Sequence, residues 1–286
     1  MGMIDIDSQW DYNDPAGSEM RLRALIPQAE QSGDAALEAE LLTQIARAMG
    51  LQMRFDEAHA LLDDAQALLT PDMPQAAVRV ALERGRLINT AGDPGAAFPH
   101  FEWAWDYARD TQQDIHAIDA AHMLAIVTGG RAALDWNAQA LDIAVNSADE
   151  RARGWAGSLY NTLGWAYHDL GDYNLALQVF LEALQFREAQ GEPQTIRAAV
   201  WCVGRCLRSL ELYDEALTMQ TDLLAQYGGS DPNGYTEEEI GECLLALGRG
   251  QEARKHFAAA YAVLSHDPWL TASDPARIER LRDLSR

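Results

Sequence analysis

Small residues recur along this chain at three fixed offsets, and that grid constrains its fold more than any other feature. Ala46, Gly85, Ala121, Gly164, Gly204 and Gly241 open six registers, and twelve residues later each time stands an alanine: Ala58, Ala97, Ala133, Ala176, Ala216 and Ala253. Seven residues further come Ala65, Ala104, Ala140, Ala183, Leu223 and Ala260. Successive members of the middle series lie 39, 36, 43, 40 and 37 residues apart. A period in the range of about 20–50 residues marks an array in which each unit buries its apolar face against the next.

Each unit reads as two helices. The first ends near a Gly-Asp pair, as in "LGDYN", and the second carries the two alanines. Gly164 sits between Leu163 and Trp165 inside the first helix of its unit, where glycine costs about 1 kcal/mol against alanine. A crossing of two closely approaching helices offsets that cost, because a larger side chain would hold the axes beyond about 8–10 Å. Gly171 is expected to end the helix in a left-handed cap.

The unit at 160–189 carries Tyr160, Leu163, Gly164, Tyr167, Gly171, Tyr173, Ala176, Phe180 and Ala183. It resembles the tetratricopeptide repeat, a helix–turn–helix unit of about 34 residues. "LRSLELYDEALTMQ", "LLALGRGQEARKHF" and "LINTAGDPGAAFPHFEWA" are further copies; the unit around Ala133 is the weakest, with Asn137 where an aromatic is usual. The resemblance covers roughly residues 35–264. It implies an all-α, right-handed superhelical solenoid of about six helix pairs, with flanking capping helices and a role in binding rather than catalysis.

The flanks fit that organisation. Residues 1–14 read as a flexible acidic N-terminus, 15–34 as a capping helix, 35–268 as the repeats and 269–286 as a second capping helix. Asp14-Pro15 and Asp274-Pro275 are helix-start signals; Pro27 is expected to bend or end the first cap. Ile278, Leu281 and Leu284 share one stripe of the last helix. "YGGSDPNGYTEEE" reads as a loop followed by a capping box from Thr236 to Glu239.

Composition narrows the partners. The net charge of −22 argues against nucleic acid, whose phosphates demand a basic surface. No apolar run approaches the roughly 18–20 residues of a spanning helix, and "MGMIDIDSQWDYNDP" lacks the basic-then-apolar layout of a signal peptide. Three cysteines, Cys202, Cys206 and Cys243, are too few for a disulfide framework, so a cytoplasmic setting is expected. No phosphate-binding glycine loop, nucleophile elbow or zinc-protease motif appears, and neither catalytic residues nor a cofactor are expected.

The groove of such a repeat is lined from the first helices, along the stripe offset from the small residue. Transferred from the resemblance, that stripe carries Thr43 and Arg47 in the first unit, then Arg79, Arg86, Asn89 and Thr90. Ile118 and His122 follow, then Asn161, Trp165, His168 and Asp169, then Trp201, Arg205, Arg208 and Ser209. The sixth unit turns acidic with Glu238 and Glu242. The expected peptide-binding groove is therefore Arg47, Arg86, Asn89, His122, Asn161, Trp165, His168, Trp201, Arg205 and Arg208. All but one of the 22 basic residues are arginine, whose planar fork suits carboxylates. An acidic or carboxylate-bearing peptide or protein tail is the expected partner, with Trp165 and Trp201 as apolar anchor. A structure showing those arginines tied up in intramolecular pairs would overturn their reading as carboxylate receptors.

Family members that bind chaperone C-termini use a lysine/asparagine clamp; Thr43 and Arg47 stand at the matching places, which disfavours that partner. A sensor module of a bacterial signalling or transcriptional system, binding a peptide or small molecule, is the alternative. His116, Asp119 and His122 raise a metal site, but the two histidines lie about 240° apart around a helix, so no metal is expected. Cys202 and Cys206, four apart, read as small core hydrophobes.

Overall fold

The computed structural model describes residues 5–226 and 234–286; the loop read at 227–233 lies outside them. Regular structure among the described residues is helical throughout. A 3-10 turn at Asp7–Gln9 precedes α1 (Pro15–Arg23), α2 (Ile26–Ser32), α3 (Ala35–Leu51), α4 (Phe55–Leu68), α5 (Pro74–Thr90) and α6 (Pro94–Asp110). There follow α7 (Asp114–Thr128), α8 (Gly130–Asn146), α9 (Glu150–Gly154), α10 (Ala156–Asp169), α11 (Tyr173–Gln190) and α12 (Pro193–Ser209). The chain ends with α13 (Tyr213–Gln226), α14 (Gly234–Ala246), α15 (Gly250–Leu264), α16 (Pro268–Ser273) and α17 (Pro275–Leu284). Six hairpins, α3/α4, α5/α6, α7/α8, α10/α11, α12/α13 and α14/α15, carry the six copies of the grid. This is an all-α repeat fold.

Local chemistry places the ends. The side chains of Asp14, Asp34, Asp93 and Asp274 accept hydrogen bonds from the backbone N–H groups of Gly17, Leu37, Ala96 and Arg277, each three residues on. Gly171 follows α10 with φ +79°, the left-handed stop expected of it. Pro27 lies in the first turn of α2, so the N-terminal cap is two short helices rather than one. No capping box forms at Thr236, because α14 already begins at Gly234 and Thr236 is a buried residue within it.

The grid has a specific packing cause. A Cβ on Gly164 would lie 2.4 Å from Cε1 of Phe180, and one on Gly85 would lie 2.6 Å from Cε1 of Phe101. Both rings are buried. The first helix therefore omits a side chain so that a ring from the second can rest on its backbone. This sharpens the expected crossing: it is ring on backbone rather than backbone on backbone.

The chain divides into two compact units, Met1–Leu159 and Tyr160–Arg286. Within the first, Leu22, Ala29, Leu41, Ile45, Met49 and Leu62 form a core that also takes in Ile6 and the edge of Trp10. Ile6, within the stretch read as a flexible acidic N-terminus, is buried here because it is too apolar to leave in water once a neighbouring core can take it. Within the second, Ala176, Phe180, Cys202, Val203 and Cys206 form one cluster. Phe257, Ala260, Leu264, Leu270 and Leu281 form another, against which Ile278 and Leu284 of α17 pack.

Candidate functional site

In the first unit, α3, α5 and α7 supply the residues of the expected stripe. They line a cavity of about 360 Å³ with Gln44, Arg47, Arg79, Glu83, His116 and Asp119, closed further by Asp7, Trp10, Tyr12, Arg151 and Trp155. Its floor is a charge cluster. Arg86 donates to Glu83 Oε1 from Nη1 and to both Asp119 oxygens from Nη2, each at 2.5 Å. Burial works against the guanidinium's charge, yet Asp119 and Glu83 more than compensate and raise its pKa. The same pairing holds the Asp119 carboxyl below its ordinary value against the opposing pull of burial.

Arg47 lies 3.6 Å from Glu83 and sits over the rings of Trp10 and Tyr12 at 5.5 and 5.4 Å, an arrangement that favours a cation. Asn89 is half-buried in the last turn of α5, and the half-buried His122 meets the edge of Trp155 at 5.8 Å. Burial, then the Arg79 charge, pushes His116 down to about 4, and burial lowers His122 as well. Both are neutral imidazoles at physiological pH.

In the second unit the face is aromatic. Trp165 on α10 and Trp201 on α12 lie with ring centres 6.0 Å apart, and Trp201 meets Tyr235 on α14 at 6.2 Å. Phe180 and His168 abut Trp165 at 5.1 and 5.0 Å. His168 shares a hydrogen bond of 2.9 Å between Nε2 and Ser209 Oγ; burial and the Arg205 charge lower its pKa. Asn161 is exposed, one turn before Trp165, and its Oδ1 accepts from the Cys202 thiol at 3.9 Å. Glu239 gathers the arginines. Arg208 donates to it from Nε and Nη2 at 2.6 and 3.0 Å, and Arg205 Nε lies 3.3 Å away.

The structure thus brings Trp165, His168, Trp201, Arg205 and Arg208 together within one unit, and Arg47 and Arg86 together within the other. It corrects one expectation about them. Arg86, Arg205 and Arg208 are not free forks awaiting carboxylates; each is already held by an acid of this chain. The physical reason is desolvation: a guanidinium drawn half out of water needs a counter-charge, and acids outnumber bases two to one here.

The sequence reading passed over Asp7, Trp10, Tyr12, Arg151 and Tyr235. The aromatic residues inside "DIDSQWDYNDP" were the available signal, since tryptophan and tyrosine in an otherwise acidic tail favour burial. Among the described residues, no group of three or more His, Cys, Asp or Glu is placed to hold a metal ion, and no helix is long and apolar enough to cross a membrane.

Residues 157–190 match the profile of the tetratricopeptide repeat family. No curated protein sequence matches the chain. Among solved structures, BtubC from P. vanneervenii is similar at a TM-score of 0.57 and 17% identity, covering 81% of this chain and 95% of that one. The apo form of RapI is similar at 0.71 and 13%, covering 98% and 81%. A signal transduction ATPase with a tetratricopeptide repeat sensor, from Pyrococcus horikoshii, is similar at 0.70 and 12%; the match covers 95% of this chain but 42% of that one. At these identities the likeness is one of fold.

Proposed function

We propose that this chain, with the fold of tetratricopeptide-repeat proteins, is a non-enzymatic, cytoplasmic adaptor that binds a protein or peptide segment on its first-helix faces, without nucleic acid, membrane or cofactor. The observation that carries the reading is the aromatic row Trp165, Trp201 and Tyr235, whose rings neighbour one another on successive first helices and remain half-exposed. Rigid aromatic surface edged by polar groups is the composition of interface hot spots. Asn161, His168, Arg205 and Arg208 supply the polar edge, and Arg47, Arg86, Asn89 and His122 the corresponding positions of the first unit. The preference is for acidic or carboxylate-bearing peptides. Because Arg86, Arg205 and Arg208 are paired internally and Arg47 lies 3.6 Å from Glu83, that preference rests on the exposed quarter of Arg47, Arg205 and Arg208.

A displayed library of short random peptides, panned against the protein, should return sequences rich in Asp and Glu. Their affinity should fall by at least about tenfold in the Trp165→Ala, Trp201→Ala double variant and weaken as salt rises. A library without binders, or binders indifferent to both tryptophans, overturns the proposal. The alternative, a sensor module, is favoured by the fold shared with a protein that carries a tetratricopeptide repeat sensor; a small molecule co-purifying with the protein would select it.

A further inference from the structure

The cavity of the first unit already has a tenant. Residues 5–12 of the same chain line it and engage Arg47 and Arg79, two positions of the expected stripe. Asp7 pairs with Arg151 and lies 3.7 Å from Arg79. Trp10 donates from Nε1 to Gln44 Oε1 at 3.1 Å, and its ring stacks on Tyr12 at 5.1 Å so that both meet Arg47. An acid, then an aromatic three residues on, then a second aromatic: this is how an acidic peptide would read out a guanidinium-lined face.

The fit is incomplete. The Asp7 side chain is 43% exposed and Tyr12 is 61% exposed. About 360 Å³ of cavity remains beside the segment. Among its lining residues, Arg79 Nε lies 3.5 Å from Glu40 Oε2, and Glu83 Oε2 and His116 Nδ1 are buried without a hydrogen-bond partner.

We infer that residues 5–12 are a built-in stand-in for the ligand of this face, and that the ligand proper is an acidic peptide of another protein bearing a carboxylate followed three residues later by an aromatic, which displaces them. The inference rests on the peptide-binding reading above and gives it a ligand pattern and a gate. A tethered occupant competes at high effective concentration, so the chain at rest binds less tightly than its bare face would, by the fraction of molecules in which the segment has lifted.

The test uses the full chain and, as probe, a fluorescein-labelled synthetic peptide of residues 5–14 added in trans and read by anisotropy. The Trp10→Ala, Tyr12→Ala double variant, which loosens the tenant but keeps Ile6 in the core, should bind the probe at least about tenfold more tightly than the unaltered chain. Adding Arg47→Ala and Arg151→Ala should cancel the gain, and a scrambled probe should not bind. Should the double variant fail to fold, Asp7→Asn removes the segment's carboxylate from Arg151 and Arg79 and should give a gain of about threefold.

Equal binding by loosened and unaltered chains overturns the inference, as does a gain that survives loss of Arg47 and Arg151. If library peptides bind through Trp165 and Trp201 while loosening residues 5–12 changes nothing, the adaptor reading stands and only this inference falls. If neither library peptides nor the probe bind any variant, both fall.

Discussion

In the first unit the first-helix face is built around charge, with Arg86 sunk between Glu83 and Asp119 and a segment of the chain laid over the top. In the second the equivalent face is built around rings, and its arginines gather at one carboxylate on the edge. Both are made from the same repeat positions. The difference teaches that the repeat dictates where a side chain points, while its neighbours dictate whether it is available. Arg47 and Arg205 both follow a small residue directly, yet one lies over aromatic rings and the other beside Glu239.

The comparison breaks most readily at the buried charges. Arg86→Ala would strand Glu83, whose side chain is 2% exposed, together with Asp119; a loss of about 3–5 kcal/mol is expected from urea unfolding at neutral pH. Glu239→Ala strands two arginines that keep roughly a quarter of their surface in water, so about 1–2 kcal/mol should be lost. Equal losses would show that the two clusters are energetically alike.

A middle-sized effect probes what the units share. Gly85→Leu in the first and Gly164→Leu in the second each force a side chain into a buried phenylalanine ring, at a cost of about 1–3 kcal/mol. Gly204→Ala meets the buried amide of Gln220 instead, 2.5 Å from the Nε2 that donates to Trp201 O, and should cost about 1–2 kcal/mol as that hydrogen bond is displaced. An unchanged melting temperature in Gly164→Leu would mean that the ring does not depend on the missing Cβ.

The smallest effect concerns pH. His116 falls from its ordinary 6.5 to about 4 in the fold, so the unfolded chain takes up the proton first. Stability carried by neutral His116 is therefore complete above pH 6.5 and is lost as pH falls from there towards 4. His168 shifts in the same direction. Because His116 is only partly shielded from water, its share is on the order of 1 kcal/mol. Thermal melts of His116→Gln between pH 7 and 4.5 should show a flatter decline than the unaltered chain, by more than His168→Gln does; a slope unchanged by either substitution would contradict the assigned burial.

Much of the fold was legible because a repeat declares itself by periodicity: six small residues and their partner alanines located the six hairpins, and Asp-Pro marked two helix starts. The candidate site was only half legible. Trp165 and Trp201 could be foreseen as a pair because both fall on the stripe that the tetratricopeptide resemblance assigns to the first helices. The pairing of Arg86 with Asp119, 33 residues away, could not, since it depends on which acid of an adjacent helix comes within reach. The capping box at Thr236 misled for a similar reason: the local signal competed with burial of Thr236 and engagement of Glu239 by Arg208, and tertiary packing won.

By itself, the sequence determined the unit of construction, the register of its helices and the residues on each face, because these follow from spacing along a 3.6-residue helix. Only the tertiary structure decided which of those residues are free. Ion pairing, and the return of residues 5–12 to cover Arg47, Arg79 and Gln44, are contacts between segments far apart in the chain. They are settled by desolvation and by the closing of three-dimensional neighbours around a charge, quantities that no local pattern of residues contains.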